Sequence, residues 1–139
     1  MPRPPLPDNI TKFLAGPNPA VITTIRPDGQ PVSVATWYLL DEEGRILVSM
    51  DEKRRRLEYM RNDPRVSMTV LDAQDWSRHV SIQGRVVQLR NDPNLNDIDQ
   101  LCQRYTGDKF STRDRSRVSA LIAIDRWHAW EIDDHAAKS

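Results

Sequence analysis

The 139-residue sequence has little of what several large classes of protein depend on. Its one cysteine, Cys102, excludes an internal disulfide and argues against a cysteine-based metal site, so no metal is predicted. The 20 lysines and arginines are matched by 20 aspartates and glutamates, which leaves no overall positive charge for non-specific binding to nucleic acid. No apolar run approaches the roughly 18 residues of a membrane span. We therefore expect a soluble, cytoplasmic protein that binds neither nucleic acid nor membrane.

The length of the chain predicts one domain with a short segment on either side. Residues 1–7 are rich in proline and are expected to form a flexible N-terminal segment. Residues 8–133 are predicted to form the folded domain, and residues 134–139 a frayed C-terminal tail. The sequence contains no internal repeat and no linker between domains.

Alternating apolar residues and turn signals predict a mainly β fold with three small helices. Helices are expected from Asp8 to about residue 15, from a capping box at Ser49 to about Asn62, and from Asp92 to Gly107. No strand–helix–strand repeat dominates, so a six-stranded antiparallel barrel fits better than a parallel sheet. The six strands are predicted at residues 20–26, 31–40, 45–50, 65–72, 76–89 and 118–132.

The second predicted strand, residues 31–40, has apolar residues on both of its faces. One face of a small antiparallel sheet usually meets water, so a second apolar face indicates burial by another subunit. A two-fold homodimer is the commonest arrangement of this kind. The alternative is that a helix of the same chain covers the strand.

A dense basic cluster lies between the third and fourth predicted strands, where six of the thirteen residues 53–65 are lysine or arginine. Arginine offers a planar fork of donors that matches pairs of phosphate oxygens, and the first turn of a helix adds free N–H groups. This pattern predicts an anchor for a phosphorylated cofactor. The alternative is a solvated helix face, on which Glu58 would pair with Arg54 and Glu52 with Arg56.

Two stretches of the sequence match a known family, residues 20–31 and residues 48–67, and weaker matches occur at Asp75, Trp76 and Gly84. They resemble the pyridoxamine-phosphate-oxidase-like, flavin-binding split-barrel family, and within it the small actinobacterial branch that uses the deazaflavin coenzyme F-420. The resemblance covers about residues 10–132. At the basic cluster the chain departs from the family, because Arg56 stands where a lysine is common.

The resemblance implies a six-stranded, homodimeric split β-barrel with a cofactor groove at the dimer interface. Arg54 and Arg56 would hold the cofactor phosphate, with Arg55 in support. Trp76, from the partner chain, would cover the ring or tail of the cofactor, although it could also be a plain hairpin anchor. Backbone groups of five further residues would line the ring and the ribityl chain: Val34, Ala35, Thr36, Ser49 and Met50.

The activity implied by the resemblance is transfer of a hydride from reduced F-420 to a small conjugated acceptor, such as an enone, a quinone or a tetrapyrrole. No catalytic triad, paired-carboxylate motif or glycine-rich phosphate loop is visible, and no catalytic side chain is assigned, since a redox cofactor carries this chemistry itself. The alternatives are an FMN-dependent oxidase or reductase and a carrier that binds F-420 or flavin without turnover. A nucleic-acid patch at residues 53–65 is disfavoured by the balanced charge.

Overall fold

The structure is a computed structural model that describes residues 1–132, and all of its strand pairs are antiparallel. The mainly β fold with three small helices is confirmed, but the described residues form seven strands and not the six predicted. The predicted tail at 134–139 and the domain end at 133 lie outside the described residues. The strands are β1 Ala20–Ile25, β2 Pro31–Thr36, β3 Leu39–Leu40, β4 Ile46–Asp51, β5 Arg65–Leu71, β6 His79–Asn91 and β7 Arg117–Trp130. The helices are α1 Asp8–Ala15, α2 Arg55–Asn62 and α3 Asn96–Thr106.

The seven strands form one sheet in the order β2-β1-β5-β6-β7-β4-β3. Strands β2 and β3 are at opposite edges of this sheet, although only Trp37 and Tyr38 separate them in the chain. The sheet must therefore curl until its two edges approach each other. Within residues 1–132 no pairing joins β2 to β3, so the barrel is open along this line.

The single strand predicted at residues 31–40 was wrong, because the chain breaks at Trp37 and Tyr38. Tyr38 is completely buried, and its hydroxyl donates to the backbone carbonyls of Leu14 (2.8 Å) and Gly16 (3.0 Å). Turning this side chain into the core interrupts the alternation of the strand and begins β3 on the opposite edge of the sheet.

The long hairpin strand β6 begins three residues later than predicted, at His79. Asp72 organises the preceding turn by accepting the N–H groups of Gln74 (2.8 Å) and Asp75 (3.3 Å). The predicted bend at Gly84 is confirmed, since the register of β6 on β7 shifts there. A Cβ atom at Gly84 would clash with the carbonyl oxygen of Ala123, so only glycine fits.

The helix ends were predicted better than the helix starts. The helix α1 ends before Gly16 and α3 ends before Gly107, which has the expected positive φ of 86°. The predicted capping box was wrong, because Ser49 lies inside β4 and α2 starts only at Arg55. The predicted start of α3 at Asp92 was also wrong, since the helix begins at Asn96 after Leu95, which has a φ of 61°.

The buried core lies inside the curled sheet and is closed by α1 and α2. Its completely buried members include Ile10, Leu14, Ile22, Met50, Leu57, Ile82 and Ile122. Residues 1–7 contain neither strand nor helix, and the carbonyl of Pro2 accepts the N–H of Trp127 at 3.1 Å. Over residues 1–132, no helix is both long and apolar enough to cross a membrane.

Candidate cofactor site

A cavity of about 530 Å³ opens where the barrel is split. Its walls come from the segment before β1, the end of β2, β4, the start of α2, one face of α3 and the segment that leads into β7. The volume is within the range of cofactor and small-molecule sites. The lining residues are Pro17, Pro19, Ala20, Ala35, Thr36, Trp37, Ser49, Arg54, Arg56, Ile98, Leu101, Tyr105, Phe110 and Arg117.

Arg56, in the first turn of α2, is the most unusual side chain in this cavity. Only 8% of its surface is exposed, and its Nη2 donates to the carbonyl of Ser49 at 3.4 Å. Its buried Nε has no hydrogen-bond partner, and no carboxylate of residues 1–132 forms an ion pair with it. Burial, together with repulsion by Arg54 and Arg117, lowers the pKa of Arg56 to about 10. A buried, uncompensated guanidinium costs free energy, and an anionic ligand would offset that cost.

Arg117, the first residue of β7, contributes a second guanidinium. Its Nε donates to the hydroxyl of Ser49 at 3.1 Å, and its guanidinium lies 4.7 Å from the centre of the Phe110 ring. Burial lowers the pKa of Arg117 below its ordinary value; the nearby Arg54 lowers it further, and Asp51 opposes the change. Ser49 therefore holds two arginines of the cavity, Arg56 through its carbonyl and Arg117 through its hydroxyl.

Arg54 directly precedes α2 and is exposed at the mouth of the cavity. The side chain of Arg54 forms no hydrogen bond or ion pair with any residue that the structure describes. In particular, no ion pair joins Arg54 to Glu58 or Arg56 to Glu52 across residues 1–132, so neither ion pair of the alternative considered above forms there. One end of the cavity therefore holds three guanidinium groups and no carboxylate.

The other end of the cavity is flat and largely apolar. The rings of Trp37 and Tyr105 stack at a centroid distance of 5.6 Å and an interplanar angle of 9°. The hydroxyl of Tyr105 donates to the carbonyl of Asn18 at 2.7 Å, which fixes the ring in place. Ile98 and Leu101 of α3 complete this wall. Such a surface suits a planar conjugated ring.

The cavity brings together some of the residues that the sequence predicted and leaves others apart. Five of the nine line it: Ala35, Thr36, Ser49, Arg54 and Arg56. The other four do not: Val34, Met50, Arg55 and Trp76. Met50 points into the core, Arg55 is exposed on α2, and Trp76 stands on the turn before β6 with 77% of its surface exposed. The roles of all nine in binding a cofactor stay predictions.

Sequence reasoning missed nine of the fourteen cavity residues, among them Tyr105, Phe110 and Arg117. In the sequence, Tyr105 continues the apolar spacing of α3 and Arg117 ends a charged stretch, so neither residue indicates a site by itself. Trp37 lines the cavity and also packs against the buried cluster that contains Leu39 and Leu101. A weak signal for Arg117 is its position immediately before the apolar run of β7.

The comparison with protein families decides how the chain is classified. The family model for pyridoxamine 5'-phosphate oxidase matches residues 6–131. The chain belongs to the pyridoxamine 5'-phosphate oxidase family. Membership of this family supports an oxidoreductase that works with a flavin-type cofactor. No curated protein matches the chain.

Solved structures agree with this family at the level of the fold. An F-420 reductase is 24% identical, with a TM-score of 0.78 over 88% of this chain and 98% of that one. The conserved hypothetical protein Rv2991 from Mycobacterium tuberculosis is 23% identical, with a TM-score of 0.70 over 96% of this chain and 89% of that one. General Stress Protein 26 from Bacillus anthracis is 18% identical, with a TM-score of 0.69 over 91% of this chain and 94% of that one.

A flavin-type cofactor fits the cavity of this oxidase-family chain in two respects. The orphaned Nε of Arg56 requires an acceptor, which a cofactor phosphate offers. The stacked Trp37 and Tyr105 offer a flat wall to the ring. Among residues 1–132, no group of three histidine, cysteine or acidic side chains is placed to hold a metal ion.

Proposed function

We propose that this protein is an oxidoreductase that binds coenzyme F-420 in the cavity at the split and transfers a hydride from it to a small conjugated acceptor, such as an enone, a quinone or a tetrapyrrole. The observation that carries the proposal is the buried Arg56 guanidinium, whose Nε is unpaired and which shares the cavity with Arg54. These two arginines hold the phosphate, and Arg55 supports them from the exposed side of α2.

The protein contributes binding, orientation and exclusion of water. Bound deazaflavin supplies the hydride chemistry. Of the five residues predicted to line the ring and ribityl chain, the three that border the cavity do so: Ala35, Thr36 and Ser49. Trp37 with Tyr105 provides the flat wall. In a homodimer, Trp76 from the second copy covers the ring or tail. No side chain is assigned as a catalytic acid, because solvent can deliver the proton.

The choice of F-420 rests on the resemblance of residues 20–31 and 48–67 to the deazaflavin branch of the family. FMN is the second candidate, and one feature of the cavity favours it. Three guanidiniums meet at one end, and they match the three terminal oxygens of a phosphomonoester such as the phosphate of FMN. A cytoplasmic location and the absence of nucleic-acid and membrane partners stay predictions from the composition.

Titration with F-420 and FMN side by side tests the proposal. The double substitution Arg54→Ala with Arg56→Ala removes two charge-assisted bonds to phosphate, so affinity should fall by about 100-fold or more. Arg61→Ala with Arg65→Ala is the matched control, because it removes two exposed charges of the same basic cluster outside the cavity. Cofactor fluorescence reports binding. Equal affinity of wild type and the Arg54/Arg56 variant for both cofactors would refute the anchor.

Turnover separates the enzyme from a carrier. Reduced F-420 is mixed with the protein and with one acceptor of each class, and its oxidation is followed by absorbance. Oxidation that requires the wild-type protein and is lost in the Arg54/Arg56 variant supports the reductase. Tight binding of F-420 without oxidation by any acceptor supports the carrier, and binding of FMN alone supports the second candidate.

A further inference from the structure

Arg117 enters the same cavity from a different part of the chain than the basic cluster at residues 53–65. It is the cross-strand partner of Asp51 in the β4–β7 ladder, at the end of β4 where the chain turns towards α2. The hydroxyl of Ser49 and the ring of Phe110 fix its guanidinium in position. The register of two strands, and not sequence proximity, therefore places Arg117 beside Arg54 and Arg56.

The nearest carboxylate is not free to neutralise Arg117. Asp51 forms an ion pair with Arg115, whose Nη2 donates to its Oδ1 at 3.2 Å and whose Nε contacts its Oδ2. The same Oδ1 accepts the N–H of Lys53 at 2.9 Å. Over the part of the chain that the structure describes, Arg117 forms no ion pair. A second carboxylate near Arg117, that of Asp92, lies outside the cavity lining and accepts the backbone N–H groups of Asp97 and Ile98 at the start of α3.

We infer that Arg117 is a third anion-binding residue of this cavity and that the group held by Arg54, Arg56 and Arg117 carries two negative charges. The inference rests on the proposed function, since it concerns the same cavity and names the chemistry of its ligand. Three guanidiniums with no carboxylate between them repel one another, and one of them is buried. A second negative charge on the ligand adds Coulomb attraction to all three at once, and solvent screens this attraction least at the buried Arg56.

Two sources supply such charge. A phosphomonoester carries close to two charges on one group at neutral pH. A phosphodiester carries one negative charge, so the second charge must come from a carboxylate of the same ligand beside it. The shared chemistry is a doubly charged group with at least three acceptor oxygens, which the three guanidinium forks can bind together.

Methyl phosphate and dimethyl phosphate distinguish the charge of the ligand from its other properties, because they differ by one methyl group and one charge. We expect the wild-type protein at pH 7.5, followed by phosphorus NMR line broadening, to bind methyl phosphate about 10-fold or more tighter than dimethyl phosphate. The substitution Arg117→Gln should reduce the preference to about 3-fold or less, because one of the three charge-assisted contacts is lost. Arg117→Lys keeps the charge without the fork and should give an intermediate preference.

The control is Arg126→Gln, which removes an arginine of the same strand that lies outside the cavity. It should bind both probes as the wild type does. The inference is overturned if wild type binds the two probes equally or binds methyl phosphate not at all, or if Arg117→Gln keeps the full preference.

The results also separate this inference from the proposed function. An Arg117-dependent preference for methyl phosphate in a protein that binds neither F-420 nor FMN refutes the redox function and leaves the anion site standing. Binding of F-420 or FMN that is unchanged by Arg117→Gln refutes the third contact and leaves the redox function standing. Adding acetate together with dimethyl phosphate tests the second source, a phosphodiester with a carboxylate beside it. If the site accepts its two charges from separate groups, acetate should restore the binding of dimethyl phosphate.

Discussion

At the scale of single residues, the site contains an arginine whose burial costs free energy. Arg56 is buried, lacks a carboxylate partner within residues 1–132 and is repelled by Arg54 and Arg117. A structural arginine at the same depth would normally be paired. A charged group kept in such a place is better explained by binding than by stability.

This explanation predicts opposite effects of one substitution on stability and on binding. Arg56→Met keeps most of the side-chain volume and removes the buried charge, so the free energy of unfolding in urea should rise by about 1–3 kcal/mol. Cofactor affinity should fall at the same time. Arg54→Met is the control, since its exposed side chain should change stability by about 0.5 kcal/mol or less. A lower stability of Arg56→Met than of the wild type would contradict this view of Arg56.

The sequence predicted Arg54 and Arg56 because they belong to a dense run that precedes a helix. It could not predict that Arg56 is buried while Arg55 is exposed, since that depends on the rotation of α2 against the sheet. Arg117 was missed for a similar reason. Its place in the cavity follows from the register of β4 on β7, which pairs Asp51 with Arg117 and Ser49 with Ser119.

At the scale of elements, α3 decides the shape of the apolar end of the cavity. Its position is fixed by Arg104, whose guanidinium donates to the carbonyls of Tyr38 (2.9 Å), Ala15 (2.7 Å) and Gly16 (2.6 Å). One side chain thus joins α3 to the end of α1 and to the break between β2 and β3. The flat wall formed by Trp37 and Tyr105 depends on this junction.

We expect Arg104→Ala to destabilise the protein by about 2–4 kcal/mol, because three backbone carbonyls lose a charged donor. Urea unfolding measures the change, and cofactor titration should show weaker binding as the wall shifts. Arg113→Ala is the control. Arg113 lies in the loop after α3 and loses an exposed ion pair with Asp99 of α3 and one hydrogen bond to the carbonyl of Phe110, so the substitution should cost about 1 kcal/mol or less. Similar effects of the two substitutions would argue against a special role for Arg104.

Elements with strong local signals were predicted well, and those set by long-range contacts were not. The sequence alone shows three such signals: the apolar stripe of α3, the glycine at its end and the glycine at the bend of β6. The sequence does not show the break at Tyr38, because an aromatic residue at this position also fits the apolar pattern of a strand. The break depends on the hydrogen bond from the Tyr38 hydroxyl to the carbonyl of Leu14 at the end of α1, which only the folded structure shows. The start of α2 was placed too early because Ser49 and Glu52 resemble a capping box, while the pairing of β4 with β7 holds residues 46–51 in the sheet.

At the scale of the whole molecule, the unpaired edges of β2 and β3 bear on whether the protein is a monomer or a dimer. Strand β2 is an edge strand that carries the exposed Ala35 beside the cavity. We expect a homodimer in solution, with about twice the mass of one chain by light scattering at micromolar concentration.

Trp76→Ala should leave the fold intact, because the Trp76 side chain is exposed in the single chain. The same substitution should weaken cofactor binding, because in the proposed homodimer this side chain covers the cofactor. A stable monomer that still binds cofactor at full affinity would contradict an interfacial site.

The most direct test of the account is a crystal structure of the protein with F-420 and, separately, with FMN. The account predicts the phosphate of the bound cofactor about 3 Å from the Nε of Arg56 and within reach of Arg54 and Arg117, with the ring against Trp37. A cofactor bound with its phosphate away from all three guanidiniums would contradict it.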